Sequence, residues 1–178
     1  MLIRVMSALL IGFCLQLPGL SRAAETTPWE VGLRVGYTFD SPYRSVEEYD
    51  LFVRRNIPSM AWDVTDGIRV GFRGEASVGA LHDWNNTSFI GSLGPALYID
   101  LGEHFKLHGG TRVTILGDQN LGHNDFGGII QFTSHGGISY AITPTAFIGY
   151  QYQHMSNGSL YVFNPGLNLN SLEVGIRF

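Results

Sequence analysis

Cysteine is almost absent from this chain of 178 residues. The single cysteine, Cys14, lies in an apolar stretch near the N-terminus, so no disulfide can hold the remainder together and no thiol can serve there as a nucleophile. Basic residues are also few: 11 lysines and arginines against 15 acidic residues leave a net charge of −4. This balance argues against a nucleic-acid-binding surface, and no nucleic-acid partner is expected.

Long apolar runs and helical periodicity are absent as well. Beyond the N-terminal stretch, no apolar run reaches the roughly 18 residues of a membrane-spanning helix, and no segment of useful length repeats with a helical period. The phosphate-binding loop, the dinucleotide-binding glycine motif, the zinc-protease motif and the hydrolase nucleophile motif are missing too. Helical membrane proteins and the common nucleotide- and zinc-dependent enzymes are therefore excluded.

The N-terminus predicts a cleaved signal peptide over residues 1–23. Arg4 gives the N-terminal region a positive charge, and residues 5–17 form the apolar region. Small residues precede a cleavage point after Ala23 or the alanine that follows it. The apolar run is shorter than the roughly 20 residues of a spanning helix, which disfavours the alternative of a membrane anchor. The mature chain, residues 24–178, is then a single domain.

Alternating apolar and polar residues in the mature chain predict eight strands. We place them at about 29–39, 47–57, from 68, 88–101, 106–116, 126–142, 146–156 and in a last segment that ends the chain. An even number suits a closed antiparallel barrel with both termini on one side. Short turns are expected at 102–104 and 143–144, and longer loops at the other end near 40–46, 81–87, 117–125 and 157–169.

One face of these strands is apolar and rich in aromatic residues, and the other carries charges of both signs. The charged positions are Glu30, Arg34, Asp50, Arg54, Arg69, Arg73, Glu75, Asp100, Arg112, Glu173 and Arg177. A soluble lipocalin-like carrier would turn the apolar face inward. The signal peptide and the terminal Phe178 favour the opposite, an all-β, eight-stranded antiparallel transmembrane β-barrel of the bacterial outer membrane. The outer-membrane assembly machinery is the expected partner of the final strand.

A histidine and a serine are expected on the apolar face of the seventh strand. Because side chains alternate, His154 and Ser156 share the face of Tyr150 and Tyr152. Residues two apart on a strand lie about 6.5–7 Å apart at Cα, so side chains that lean together can form a serine–histidine hydrogen bond. A base and a nucleophile would then face lipid, where an enzyme acting on lipid needs them. Alternatively, the two residues merely mark the solvated end of a strand.

The run His-Met-Ser-Asn-Gly at 154–158, followed by Asn-Pro-Gly-Leu-Asn at 164–168, resembles the C-terminal motif of the PagL-type lipid A 3-O-deacylases. The resemblance implies an eight-stranded outer-membrane barrel that removes the ester-linked acyl chain at the 3 position of lipid A. The substrate would be lipopolysaccharide of the outer leaflet, and no metal or organic cofactor would take part. Whether the barrel forms a homodimer is left open.

The resemblance also implies roles for individual residues. His154 would be the general base and Ser156 the nucleophile, while the N–H groups near Asn157 and Gly158 would form the oxyanion hole. In the family an acidic residue follows the histidine by fourteen positions, where this chain has Asn168.

An asparagine can accept the imidazole N–H and so fix its tautomer, but it offers no negative charge to the imidazolium. In a serine protease, aspartate replaced by asparagine costs roughly 10⁴ in rate, mainly through the wrong tautomer. Asn168 therefore either serves as the orienting third member or indicates weak or lost activity. The alternative function is a catalytically inactive or non-enzymatic barrel of the structural or adhesion type.

Overall fold

The computed structural model describes residues 29–38 and 45–178. Its strands are β1 (Trp29–Tyr37), β2 (Glu47–Thr65), β3 (Ile68–Asp83), β4 (Asn86–Leu101), β5 (Phe105–Leu116), β6 (Asn120–Leu121), β7 (Asn124–Asp125), β8 (Ile130–Ala141), β9 (Ala146–Ser156) and β10 (Leu167–Arg177). Eight of them form a closed barrel in the order β1-β2-β3-β4-β5-β8-β9-β10, and every neighbouring pair is antiparallel. The predicted eight-stranded barrel is thus confirmed.

The short strands β6 and β7 form a hairpin within the connection between β5 and β8. The predicted signal peptide, residues 1–23, lies outside the described residues and stays a prediction. In the described part of the chain, no helix is long and apolar enough to cross a membrane.

Two predicted strand limits are wrong. The second strand was expected to end near residue 57, but β2 continues to Thr65. Its register shifts between Asn56, which pairs with Arg73, and Ala61, which pairs with Gly71. The irregularity contains Pro58, which has no N–H for the ladder and is tolerated at such a bulge.

The sixth strand was expected from residue 126, but β8 begins at Ile130. Phe126 instead turns its ring into the buried apolar cluster described below. The loop predicted near residues 81–87 is also wrong, because β3 and β4 continue to Asp83 and Asn86 and leave a turn of two residues.

The barrel interior is filled by ion pairs. Inward positions on one strand, on neighbouring strands and on opposite walls of the barrel place buried basic side chains and carboxylates in direct contact. The pairs include Arg34–Asp50 at 2.5 Å, Arg54–Glu173 at 2.6 Å, Arg73–Glu75 at 2.5 Å, Lys106–Glu30 at 2.8 Å and His135–Glu75 at 2.9 Å. An eight-stranded barrel is just wide enough for side chains to fill, so this ion-pair cluster occupies the space of an open channel.

Toward the loop end of the barrel the interior becomes apolar. Nine buried side chains form one cluster there: Val46, Leu81, Ile90, Leu116, Leu121, Phe126, Met155, Leu167 and Leu169. Three of them, Met155, Leu167 and Leu169, belong to β9 and β10. These two strands are therefore held from inside by apolar packing at the height of His154.

The outer wall is apolar. Exposed leucine, isoleucine, valine, phenylalanine and tyrosine side chains cover it on every strand of the barrel, such as Leu93, Ile115, Ile148 and Leu172. The termini of the barrel meet through reciprocal backbone hydrogen bonds between Trp29 and Phe178. An apolar outside over a charged inside is the pattern of a barrel that has lipid as its surroundings.

The ion-pair cluster predicts a strong dependence of stability on Glu173, which lies within hydrogen-bond or ion-pair distance of Arg34 and Arg54. Glu173→Gln removes the charge that both guanidinium groups face and leaves them buried without it. We expect the free energy of unfolding to fall by about 3–5 kcal/mol. Urea unfolding in detergent micelles, followed by tryptophan fluorescence, measures this loss.

The control is Leu172→Ile, one residue away on the outward face of β10. This variant should unfold near the wild-type urea midpoint. Equal midpoints for Glu173→Gln and Leu172→Ile would contradict a stabilising role of the cluster.

Candidate active site

The structure places both predicted catalytic side chains of β9 on the outer wall. Gln151, Gln153 and Met155 point inward and are buried, whereas His154 is exposed and Ser156 is half-buried. Successive side chains of an extended strand point to opposite faces, so the inward, buried residues of β9 are every second one. His154 therefore shares the outer wall with the exposed Tyr150 and Tyr152.

His154 is paired directly with the residue fourteen positions later. In the register of β9 and β10, His154 lies opposite Asn168, and its Nδ1 lies 2.7 Å from Asn168 Oδ1. With the amide oxygen as acceptor, Nδ1 carries the proton and Nε2 keeps its lone pair. This is the tautomer that a general base needs when it works through Nε2.

Ser156 is the next outward residue after His154 on the same strand. Both side chains are described, and no hydrogen bond joins Ser156 Oγ to His154. The Cα separation of about 6.5–7 Å between alternate residues can be bridged when the two side chains lean together. Catalytic hydrogen bonds are often long before substrate binds, so the arrangement fits a base and nucleophile awaiting substrate.

Asn157 has a structural part in the loop that follows β9. Its backbone N–H donates to Asn164 Oδ1 at 3.1 Å, and its Nδ2 donates to the carbonyl of Phe163 at 2.7 Å. Its Oδ1 accepts the N–H of Ser159. Because the residue is buried and these donors are engaged, Asn157 supports the loop in this structure rather than presenting an N–H to the outer wall.

The next residue, Gly158, is exposed and has a positive φ of 60°. That backbone conformation is one that side chains with a Cβ rarely adopt. Of the two residues predicted for the oxyanion hole, only Gly158 is exposed next to Ser156.

Gly166, at the end of the same loop, lies against the imidazole. A Cβ placed on it would meet His154 Cε1 at 3.1 Å, and its φ is 69°. A small cavity of about 80 Å³ adjoins this glycine and is lined by His123, Asn124, Asp125, Phe126, Phe163, Pro165 and Leu167. The Gly166 backbone therefore lies next to the imidazole, and a side chain at this position would crowd the ring.

Two hydroxyl residues outside the predicted site lie in line with it. Ser134 of β8 is the cross-strand neighbour of His154, and Thr111 of β5 is the neighbour of Ser134. Together with Asn168 they form a row across four adjacent strands, which we call the polar row (Thr111, Ser134, His154, Asn168). Alternation alone places Thr111 and Ser134 on the outer face, but only the strand pairing reveals that they adjoin the histidine.

Four of the other five histidines lie on other strands or turns. His108 and His135 face the barrel interior, His104 stacks on Tyr140, and His82 Nδ1 lies 3.0 Å from Thr87 Oγ1. No group of three or more His, Cys, Asp or Glu side chains within residues 29–38 and 45–178 is arranged to hold a metal ion.

The His154–Asn168 contact predicts the tautomer of the neutral imidazole. In ¹⁵N spectra of histidine-labelled barrel, His154 should carry its proton on Nδ1, and Asn168→Ala should shift the population toward the Nε2–H form because the acceptor is lost. Subtraction of the His154→Gln spectrum assigns the signal. Asn170→Ala, the next outward position of β10, is the control. An unchanged His154 tautomer in Asn168→Ala would contradict the orienting role.

Comparison with known proteins identifies the relatives of this barrel. The family model described as lipid A 3-O-deacylase (PagL) matches residues 47–177. A curated relative, the lipid A deacylase PagL of Bordetella bronchiseptica, is 31% identical over 77 residues. That match spans 43% of this chain and 43% of the relative, so it covers less than half the length of either protein.

A solved structure has the same fold. The crystal structure of the outer membrane enzyme PagL superimposes with a TM-score of 0.73 at 20% sequence identity, over 84% of this chain and 99% of that one. The family match includes β9, β10 and the loop between them, and it extends over most of the barrel. The chain is a β-barrel of the bacterial outer membrane and belongs to the lipid A 3-O-deacylase (PagL) family.

Proposed function

We propose that this barrel removes the ester-linked acyl chain from the 3 position of lipid A by serine–histidine catalysis on its outer wall. The observation that carries the proposal is the hydrogen bond from His154 Nδ1 to Asn168 Oδ1, which orients a histidine toward lipid beside Ser156. Membership of the deacylase family supports the same reaction.

The place of the site suits a substrate that stays in the membrane. The residues below His154 on β9, Tyr152 and Tyr150, are exposed on the apolar wall, and Ile148 continues the same face. The acyl chain of a lipid in the outer leaflet can lie along this wall with its ester at the height of Ser156. The lipid then reaches the nucleophile without leaving the bilayer, so no deep pocket is required.

The reaction follows from the two side chains. Ser156 Oγ attacks the ester carbonyl carbon while His154 Nε2 takes the serine proton. The bond from the carbonyl carbon to the sugar oxygen then breaks, and the imidazolium returns the proton to that oxygen. Water, deprotonated by His154, hydrolyses the acyl-serine, which releases the fatty acid and restores Ser156.

The tetrahedral intermediate needs a hydrogen-bond donor for its negative oxygen. We assign this task to the backbone N–H of Gly158, which follows Ser156 by two residues and lies at the exposed start of the loop. Asn157 contributes by holding the loop, since its side chain ties Phe163 and Ser159 to the strand end.

The decisive experiment is mass spectrometry of lipid A after incubation with the folded barrel. Wild type should release one acyl chain, and Ser156→Ala and His154→Ala should reduce the rate by roughly 10³-fold or more, because nucleophile and base act as a unit. Ser59→Ala, an exposed serine near the opposite end of the barrel, is the control and should act as wild type.

Folding of every variant is verified by heat-modifiable gel mobility. Intact lipid A after exposure to folded wild type would overturn the proposal and favour the structural or adhesion alternative. Equal activity of Ser156→Ala and wild type would overturn the assignment of the nucleophile while retaining the deacylase.

The orienting residue offers a second prediction. Asn168→Asp supplies a carboxylate to His154 Nδ1–H, which stabilises the imidazolium formed during attack, so kcat should rise on the order of tenfold at neutral pH. Asn170→Asp is the matched control, because it adds the same charge at the next outward position of β10 without facing His154. A fall in kcat for Asn168→Asp with intact folding would contradict the proposed role.

A further inference from the structure

The connection between β5 and β8 crosses the loop end of the barrel. It comprises residues 117–129 and contains the hairpin of β6 and β7, and we call it the crossing segment. One part of it bonds to β3, and another contacts the residue that follows β9. Three strands separate β3 from β9 in either direction around the ring, so the two strands lie on opposite walls. The crossing segment therefore joins the wall that carries the candidate site to the wall farthest from it.

Asp83 and Asn124 anchor the crossing segment to the far wall. Asn124 Nδ2 donates to Asp83 Oδ2 at 2.7 Å, and only 7% and 2% of the two residues are exposed. Gly122 lies against the same carboxylate, since a Cβ placed on it would meet Asp83 Oδ2 at 2.7 Å. The other oxygen, Asp83 Oδ1, is buried without a hydrogen-bond partner among the described residues. Such a carboxylate is costly to bury, so its presence calls for a function beyond packing.

The other end of the crossing segment contacts Asn157, the residue after Ser156. Asn157 is fully buried, and its Nδ2 lies 2.7 Å from the carbonyl oxygen of Phe163 and 3.4 Å from that of Phe126. A Cβ placed on Gly127 would meet Asn157 Nδ2 at 2.9 Å. The position of Asn157 is therefore set jointly by its own loop and by the crossing segment.

Between its two ends the crossing segment is held by packing and by its own hairpin. Leu121 and Phe126 belong to the buried apolar cluster, as does Met155 of β9. The Phe126 N–H donates to the carbonyl of Gln119 at 2.8 Å. Only one residue separates Asn124 from Phe126. A displacement of Asn124 is therefore passed on to Phe126 rather than absorbed along a flexible stretch.

The crossing segment also borders the end of the loop between β9 and β10. Asn124 lines the cavity of about 80 Å³ that reaches Gly166. Gly166 in turn lies against the His154 ring. Both the start and the end of this loop therefore adjoin the crossing segment.

We propose that Asp83 and Asn124 are positioning residues for the deacylation of lipid A, which hold the loop after the nucleophile from the opposite wall of the barrel. The inference rests on the proposed function of His154 and Ser156. Both residues act at a distance, through the crossing segment and Asn157.

Loss of the anchor would act on the reacting centre rather than on substrate binding. Without the bond between Asn124 and Asp83, the crossing segment shifts, and Asn157 and the N–H of Gly158 shift with it. A misplacement of about 1 Å can cost on the order of 10²-fold in rate. The outer wall along which the acyl chain would lie includes neither Asp83 nor Asn124, since both are buried.

Kinetics of Asn124→Leu test the inference. The substitution removes the amide at nearly constant volume, so kcat for lipid A should fall roughly ten- to hundredfold while KM stays within about twofold. Asp83→Asn keeps an oxygen that accepts from Asn124 and should retain kcat within roughly threefold. Asn120→Leu, the same substitution at an exposed position of β6, is the matched control and should act as wild type.

Hydrogen exchange followed by mass spectrometry gives a second readout that does not depend on activity. The amides of residues 157–166 should exchange faster in Asn124→Leu than in wild type, while those of β9 and β10 stay protected. If Asn124→Leu does not fold, Asp83→Ala/Asn124→Ala takes its place, because it removes the buried carboxylate together with its partner. The same fall in kcat and the same faster exchange are expected.

The outcomes separate this inference from the proposed function. With an active wild type, equal kcat values for Asn124→Leu and Asn120→Leu would overturn the inference. An inactive wild type would contradict the proposed function, and exchange at residues 157–166 would then decide whether the anchor holds the loop. Unchanged exchange there in Asn124→Leu would overturn the inference in either case.

Discussion

The ion pairs inside the barrel determine which side chains can face the membrane. On β10, Glu173 must point inward to meet Arg34 and Arg54, and the alternation of the strand then turns Leu172 and Val174 outward. The same parity, followed back along β10, places Asn168 on the outer wall. A shift of register by one residue would bring the charges into lipid and the apolar residues into the interior. The position of the candidate site on the outer wall thus depends on residues that do not touch it.

Two further supports hold the site in place. From inside, Met155 and Leu167 pack into the apolar cluster directly behind the wall that carries His154, Ser156 and Asn168. From the loop end, the buried side chain of Asn157 ties the chain after Ser156 to the carbonyl of Phe163. Such support suits the proposed catalysis, because the geometry of the proposed base and nucleophile does not have to be rebuilt for each substrate.

Much of the fold could be predicted from the sequence because one physical rule, the alternation of side chains in a strand, repeats eight times. The rule located every barrel strand and assigned inward faces to residues such as Glu173 and Arg34. It could not locate the end of β2, because the bulge around Pro58 interrupts the pattern while the strand continues. It also could not foresee that Asn157 turns into the protein, since its partners come from a loop that has no period.

The candidate site likewise contains residues that could be predicted from the sequence and residues that could not. His154 and Ser156 could be predicted from the alternation of one strand. Asn168 was identified only through the family resemblance, because the loop predicted at 157–169 contained it, whereas β10 begins at Leu167 and pairs Asn168 with His154. Ser134 and Thr111 are separated from His154 by 20 or more residues, and their proximity depends on the register of β5, β8 and β9. The register of β5 and β8 is set across the long connection at 117–129, and that of β8 and β9 depends on the residues at which a short turn begins and ends. Neither register follows from the alternation of a single strand.

The contact between His154 and Asn168 can form only when β10 closes the barrel. Asn168 belongs to β10, the strand that pairs with β9 on one side and with β1 on the other and so completes the ring. Until β10 takes its place, His154 has no acceptor for its Nδ1–H and its ring is free to rotate. Assembly of the barrel and orientation of the proposed base are therefore a single event. An unfinished chain in transit carries the histidine and the serine but not their geometry, and only the closed barrel holds His154 against Asn168 on its outer wall.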